Sequence, residues 1–152
     1  MDRLLDQARC GPTFLRQPVI AEVVLASIQH GSQLRHYDLH AWVIMPNHVH
    51  LLLTPHISLS RLLNSLKAAT ARKSNLLLQR TGKSFWQDES YDHFVRHREE
   101  FQRIQCYIEN DPVVAALAGT PEQYPWSSKA ACDAAAARGA APLLRFDVKE
   151  LK

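Results

Sequence analysis

The chain has 152 residues, of which 46% are hydrophobic, enough for one ordinary core in one domain. A net charge of +3 and a pI near 8.9 permit a nucleic-acid partner without requiring one. Three cysteines without C-x-x-C spacing exclude a disulfide framework and a zinc ribbon, so a reducing cytoplasm is expected. The charged start is no signal peptide, and no apolar run is long enough to cross a bilayer, so no membrane partner is expected.

The first regular element that the pattern predicts is an amphipathic helix from Pro18 to about His30. Proline suits the first helical turn, and apolar residues follow at helical spacing. Gly31 is predicted to end this helix. Residues 37–45 then read as a strand with few charges, so both of its faces are expected to be covered. One face of this strand is predicted to carry Leu39, Ala41, Val43 and Met45.

The next strand begins with two histidines, His48 and His50, directly after a Pro46-Asn47 turn. Because side chains alternate along a strand, both imidazoles are predicted to point to the same face. Proline cannot supply the positive φ of two-residue hairpin turns, so a slightly longer connection is expected. Two imidazoles can hold a divalent cation if a third ligand arrives from elsewhere, although a half-buried surface pair is the simpler interpretation.

A second helix is predicted over residues 61–78, with Ser60 as its N-cap. Its inward positions are Leu62, Leu63, Leu66, Ala69 and Leu76. Its basic residues are a solvated face or, alternatively, contacts for DNA phosphates: Arg61, Lys67, Arg72 and Lys73. A turn and a strand rich in aromatic residues follow over 84–96, where Trp86 is either a core residue or a platform for base stacking.

A last strong helix is predicted over residues 98–111 and is expected to stop before Pro112. Tyr107 and Asp111 are four residues apart and therefore share a helical face. A carboxylate together with two imidazoles suits Mg²⁺ or Mn²⁺, and a nearby cation favours the phenolate of Tyr107 as a nucleophile. The alternatives are a packed Tyr107 and a nucleophilic Tyr91, whose neighbours lie along a strand or turn.

Five segments, in this order, resemble the REP-associated tyrosine transposases, which are single-tyrosine HUH enzymes: HAWVIMPNHVHLLL, RLLNSLKAATARKSN, FWQDESYDHFVR, CYIENDPV and YPWSS. The resemblance runs from about Leu4 to Ser128. It implies an α+β, ferredoxin-like HUH nuclease fold with an antiparallel sheet flanked by helices. The domain is assigned to residues 1–128, and residues 129–152 are interpreted as an alanine-rich tail.

The resemblance also implies a reaction, the metal-dependent cleavage of single-stranded DNA near hairpins through a covalent 5′-phosphotyrosine, followed by rejoining of strands. Tyr107 matches the catalytic tyrosine, and His48 and His50 match the metal-binding pair. Asp111 stands at the family's third metal-contacting position, where asparagine is usual before the proline. The ion is expected to be Mg²⁺ or Mn²⁺. DNA-binding roles are assigned to Arg61, Lys67, Arg72, Lys73, Trp86 and His93.

One departure concerns the start of the chain. Relatives begin with a strand that lies beside the HUH strand, and Met1–Gln7 does not read as one. The chain is therefore expected to be truncated, mis-started or decayed, with an unpaired edge beside His48 and His50. Two alternatives stay open: a decayed or domesticated protein that binds hairpin DNA without cutting, and an unrelated metal hydrolase. Relatives include both monomers and dimers, so a homodimer is one expected state.

Overall fold

The computed structural model describes residues 12–87, 90–131 and 147–151. Within these ranges lie three helices and four strands: α1 (Pro18–Gln33), β1 (Tyr37–Ile44), β2 (Val49–Pro55), α2 (Leu59–Leu77), β3 (Ser90–Phe94), α3 (Arg98–Val114) and β4 (Asp147–Leu151). Short 3-10 helices span Phe14–Arg16 and Pro121–Gln123. The strands form one antiparallel sheet in the order β1-β2-β4-β3. The predicted α+β architecture, an antiparallel sheet flanked by helices, is confirmed.

The sheet separates two apolar layers, which explains why β1 and β2 carry so few charges. Helices α1 and α2 cover one face, where they pack on Trp42, Ile44, Val49, Leu51 and Leu53. Helix α3 covers the other face through Phe101 and Ile108, which pack on Ala41, Val43, Met45 and Leu52. The face of the sheet that α3 covers is therefore the one that carries His50.

A β-bulge in β1 interrupts the predicted alternation of side chains. Leu39 pairs with Leu53, but Ala41 pairs with Leu52, so His40 is an extra residue in β1. Leu39 consequently packs with the α1 and α2 layer, whereas Ala41 packs beneath α3. The prediction that these two residues share one face is wrong, because the bulge shifts the register by one residue.

Helix α1 continues past Gly31, so the predicted stop at that glycine is wrong. The chain leaves the helix at Leu34, and Arg35 then adopts a positive φ of 59°. Gly31 is required for a different reason, since a Cβ there would lie 2.6 Å from the hydroxyl oxygen of Tyr37. The buried Tyr37 hydroxyl donates a 2.5 Å hydrogen bond to the carbonyl of Ile28 and fixes α1 against β1.

Helix α2 begins slightly earlier than predicted, with Ser58 rather than Ser60 at its cap position. The prediction that Leu76 points inward is wrong, because its side chain is 70% exposed. Thr70 and Ser74 are buried on this helix instead. The Thr70 hydroxyl accepts a hydrogen bond from the Trp86 indole and donates one to the Leu66 carbonyl. This buried hydroxyl is therefore satisfied both as a donor and as an acceptor.

Helix α3 passes through Pro112 and ends at Val114, so the predicted stop before the proline is wrong. Proline lacks the N–H that would bond one turn back, but the following N–H groups restore the pattern. The Ala115 N–H donates to the carbonyl of Asp111, and the Leu117 N–H donates to that of Pro112. Asp111 is therefore helical and keeps the same face as Tyr107, which the proposed chemistry requires.

The edge beside β2 that the sequence analysis expects to be open is paired. Residues 49–53 of β2 pair antiparallel with residues 147–151 of β4, so the prediction of an unpaired edge is wrong. Strand β4 lies in the segment that the sequence analysis treats as a tail, and it is an inner strand of the sheet. Met1–Gln7, the segment that does not read as a first strand, lies outside the described residues. Among the described helices, none is long and apolar enough to cross a membrane.

Candidate metal centre and nucleophile

His48 directly precedes β2 and His50 is its second residue, and both imidazoles lie on the same side of the sheet, as predicted. Four residues, Met45 to His48, connect β1 to β2, and the Met45 N–H donates to the His48 carbonyl at 2.8 Å. Both imidazoles are buried, and their Nε2 atoms are 3.1 Å apart. The connection is longer than a two-residue turn, as the proline predicts.

Asp111 reaches the two histidines from α3 and completes a cluster of three donor groups. Its Oδ2 lies 3.3 Å from His48 Nε2 and 3.2 Å from His50 Nε2. Two ligands bound at about 2.1 Å and at right angles on one ion stand about 3.0 Å apart. The three separations therefore suit joint coordination of a single divalent ion, for which these three residues form a candidate site.

The neighbouring Asn47 controls which nitrogen of His48 is available. Its Oδ1 lies 2.7 Å from His48 Nδ1, and a carbonyl oxygen can only accept, so Nδ1 carries the hydrogen in this contact. In a neutral imidazole, Nε2 then presents a lone pair toward His50 and Asp111. Lone pairs that converge on one point need a positive charge between them, and a metal ion meets that requirement.

The charge of Asp111 is set by two opposing effects. Burial raises the pKa of its carboxyl, but the interactions with the imidazoles of His48 and His50 outweigh burial and lower the pKa below its usual range. Asp111 is therefore a carboxylate at neutral pH. Nearby, burial and a smaller effect of the Asp111 charge raise the pKa of Tyr124 to about 12. Tyr124 stays protonated and donates a 2.7 Å hydrogen bond to the carbonyl of Ile44.

Tyr107 lies beside this cluster. Its ring meets that of His50 edge to face, with 5.6 Å between the ring centroids, and its side chain is 41% exposed. Asp111 follows it by one helical turn. The rival Tyr91 lies on β3, in the cross-strand row of His50 but two strands away, about 10 Å between Cα atoms. The structure thus brings Tyr107 to the histidines, while Tyr91 belongs to another strand.

Several contacts in the scaffold around the site were not predicted from the sequence. Glu100, in the first turn of α3, accepts the Arg96 N–H at 3.0 Å and pairs with His93 on β3. On β1, the Trp42 N–H donates to the Ser128 hydroxyl, which donates to the Trp42 carbonyl. Of these residues, His93 and Arg96 lie in the FWQDESYDHFVR segment and Ser128 lies in the YPWSS segment, whereas no motif identified in the sequence contains Glu100.

The predicted DNA-binding residues do not share one location with the metal cluster. Helix α2 carries Arg61, Lys67, Arg72 and Lys73, and the sheet lies between α2 and α3. Of these four, Lys67 is partly buried and donates to the carbonyl of Gln87 at 3.4 Å. Any phosphate that they contact is therefore some distance from the candidate metal ligands.

One of these predictions needs correction, and a second residue, His93, has a contact within the fold while its contact with DNA stays a prediction. Trp86 is buried in the layer between the sheet and α2, and its indole N–H donates to Thr70 at 2.9 Å, so its ring is committed to the core rather than to a nucleobase. His93 pairs with Glu100 and so joins β3 to α3. Both side chains stabilise the scaffold of the site.

The fold and the cluster together define a class of protein. In this class an antiparallel sheet carries a His-x-His motif, and the helix that covers this motif carries a carboxylate and a tyrosine. Residues 13–111 match the family described as IS200-like transposases, and the chain belongs to that family.

A solved structure of a REP-associated tyrosine transposase bound to a REP hairpin has the same fold, with a TM-score of 0.66 and 20% sequence identity. The match covers 86% of this chain and 74% of that chain. A comparison with curated proteins found no match.

Proposed function

We propose that this protein is a metal-dependent transposase that cleaves single-stranded DNA near hairpins through a covalent 5′-phosphotyrosine and then rejoins strands. The observation that carries the proposal is the meeting of four side chains in a chain of this family. His48, His50 and Asp111 converge within 3.3 Å, and the Tyr107 ring contacts that of His50. A packed helix tyrosine without a functional role would not need this arrangement beside a triad of metal-binding groups.

The chain's own residues account for the reaction in two transfers. Tyr107 gives up its proton, and its oxygen attacks a DNA phosphorus. The bond from phosphorus to the 3′ oxygen breaks, and that oxygen takes up a proton as a free 3′ hydroxyl. The 5′ phosphate stays on Tyr107, which conserves the bond energy, so a later attack by a 3′ hydroxyl reseals DNA without ATP.

The site residues favour this chemistry in three ways. The 41% exposure of Tyr107 leaves it accessible to a strand of DNA. The carboxylate state of Asp111 and the lone pair of His48 would hold a divalent ion, Mg²⁺ or Mn²⁺. When bound, such an ion supplies charge that polarises a phosphoryl oxygen and favours the phenolate.

The proposed substrate is single-stranded DNA that carries a hairpin, because the solved structure of similar fold holds a REP hairpin. Unpaired bases also leave the phosphodiester accessible to a side chain. Phosphate contacts by Arg61, Arg72 and Lys73 would make affinity fall with salt, by about 0.7 log–log units per contact for a single strand. We place the activity in the cytoplasm and leave monomer and homodimer to measurement.

The decisive experiment incubates the protein with Mn²⁺ and a labelled single strand that carries a hairpin, and follows protein-linked label on a denaturing gel. The wild type and Tyr91→Phe are expected to form a covalent adduct, and Tyr107→Phe is expected to form none. An adduct retained in Tyr107→Phe would refute its role as nucleophile. Hairpin binding without any adduct would instead identify a DNA-binding protein that does not cut.

A further inference from the structure

We propose that β4 is a structural part of the candidate metal centre: the C-terminal strand joins the half of the site that carries the histidines to the half that carries the tyrosine. The sheet order β1-β2-β4-β3 supports this directly. Strand β2 follows β1 in a hairpin and carries His50. Strand β3 leads into α3, which carries Tyr107 and Asp111. Strand β4 lies between these two units and pairs with both.

The pairing is continuous along the whole strand. Val148, Lys149 and Glu150 lie opposite Leu52, Leu51 and His50 of β2. The same three residues lie opposite His93, Asp92 and Tyr91 of β3. His50, the histidine whose ring contacts Tyr107, is therefore held in the sheet by β1 on one side and by β4 on the other.

The β3 strand depends on β4 more strongly than β2 does. Within residues 12–87, 90–131 and 147–151, the backbone of β3 pairs with β4 and with no other strand. The next link in the chain is the pair formed by His93 of β3 and Glu100 of α3. Displacement of β4 would leave β3 unpaired and would leave α3 attached to the sheet through its own packing on β1 and β2 alone.

A second consequence concerns the edge of β2. Without β4, the N–H and carbonyl groups of residues 49–53 that face it would lose their partners beside a buried strand. Unpaired backbone groups at such an edge cost free energy and invite pairing with other chains. The position of His50 would then be fixed on one side only, and its distance to His48 and Asp111 would no longer be constrained from the β4 side.

The placement of β4 can be tested by a cross-link in a background where Cys10, Cys106 and Cys132 are serine. Asp92 and Lys149 are directly opposite, and cross-strand Cα separations of about 4.5–5.5 Å suit a disulfide. Asp92→Cys with Lys149→Cys is expected to oxidise within one chain. The matched control, Asp92→Cys with Glu150→Cys, shifts one partner by a residue to the other face and is expected to stay reduced. A disulfide that forms only between chains, or equal oxidation of both pairs, would overturn the proposal.

The role of β4 is tested with Lys149→Pro and Lys149→Ala. Proline removes one N–H from an inner strand, whereas alanine keeps it. The loss of one buried backbone hydrogen bond shifts a local opening equilibrium toward the open state by roughly tenfold. The amides of residues 49–53 and 90–94 should therefore exchange about tenfold faster in the proline variant. Mn²⁺ affinity should fall in the same variant and not in the alanine variant.

The exchange measurement requires neither metal nor DNA, so it separates this proposal from the proposed function. Faster exchange in β2 and β3 without any Mn²⁺ binding by the wild type would support the strand's role and refute the metal centre. Unchanged exchange and unchanged Mn²⁺ affinity in Lys149→Pro would show that the centre does not depend on β4. Deletion of residues 147–152 gives a second check, since it should accelerate exchange in the same two strands.

Discussion

The contact between Asn47 and His48 leads to a prediction about metal affinity. Asn47 Oδ1 lies 2.7 Å from His48 Nδ1 and keeps the hydrogen on that nitrogen, which leaves Nε2 as the ligand atom. In Asn47→Ala the imidazole can carry its hydrogen on Nε2 instead, where it would point toward Asp111 at 3.3 Å. Binding of an ion would then first require a change of tautomer and of hydrogen bonding.

The expected loss follows from partners of this kind in other metal sites, which are typically worth ten- to hundredfold in metal affinity. That range corresponds to about 1.4–2.8 kcal/mol at 25 °C. Asn47→Ala should therefore bind Mn²⁺ ten- to hundredfold more weakly than the wild type in a calorimetric titration. Asn47→Asp keeps an acceptor oxygen at the same position and should retain the affinity.

Thermal unfolding of both variants without metal is the necessary control, because Asn47 also lies in the connection between β1 and β2. A variant that melts at the wild-type temperature and still binds weakly supports the tautomer argument. Equal Mn²⁺ affinity in Asn47→Ala and the wild type would refute it, because His48 would then present the Nε2 lone pair to the ion without the Asn47 contact.

Three further predictions concern the scaffold. Gly31→Ala should lower the free energy of unfolding by about 1–3 kcal/mol in urea denaturation, because the new Cβ would lie 2.6 Å from the Tyr37 hydroxyl oxygen; an unchanged midpoint would contradict this. Trp86→Phe should lower the free energy of unfolding by about 1–2 kcal/mol, because the hydrogen bond to Thr70 is lost, while hairpin binding at fixed salt stays the same. Weaker hairpin binding by a fully folded variant would instead support base stacking by Trp86. Burial raises the pKa of Tyr37 to about 12, so its contribution to stability is complete below pH 10 and is lost as pH rises toward 12. In a spectrophotometric titration Tyr37 and Tyr124 should ionise late, and ionisation of all four tyrosines near pH 10 would contradict the burial argument.

The parts of the site that could be predicted from sequence depend on local periodicity. The two-residue spacing of His48 and His50 determines their shared face in a strand, and the four-residue spacing of Tyr107 and Asp111 determines theirs in a helix. The structure adds the meeting of these two pairs, which depends on how α3 packs on the sheet.

The predictions that failed depend on contacts that the periodicity of a helix or strand does not describe. Gly31 is a close-approach position for Tyr37, which no local rule for helix ends can reveal. The bulge at His40 shifts the register of β1 by one residue, so Leu39 lies on the opposite face of the sheet from Ala41. Pro112 is accommodated because the following N–H groups bond to carbonyls of the same helix. The pairing of β4 with β2 joins segments with no detectable periodic relation.

The position of β4 also has a consequence for synthesis on the ribosome. Lys149 pairs with Leu51, which was added to the growing chain about a hundred residues earlier. The β1–β2 hairpin closes over a short loop and forms quickly, whereas a pairing across so long a separation is slow. The nascent protein therefore exposes an apolar edge until translation reaches β4. Where several ribosomes translate one message, the exposed β2 edges of neighbouring nascent chains can pair with one another. The longer each chain stays on its ribosome without β4 in place, the more such association is favoured.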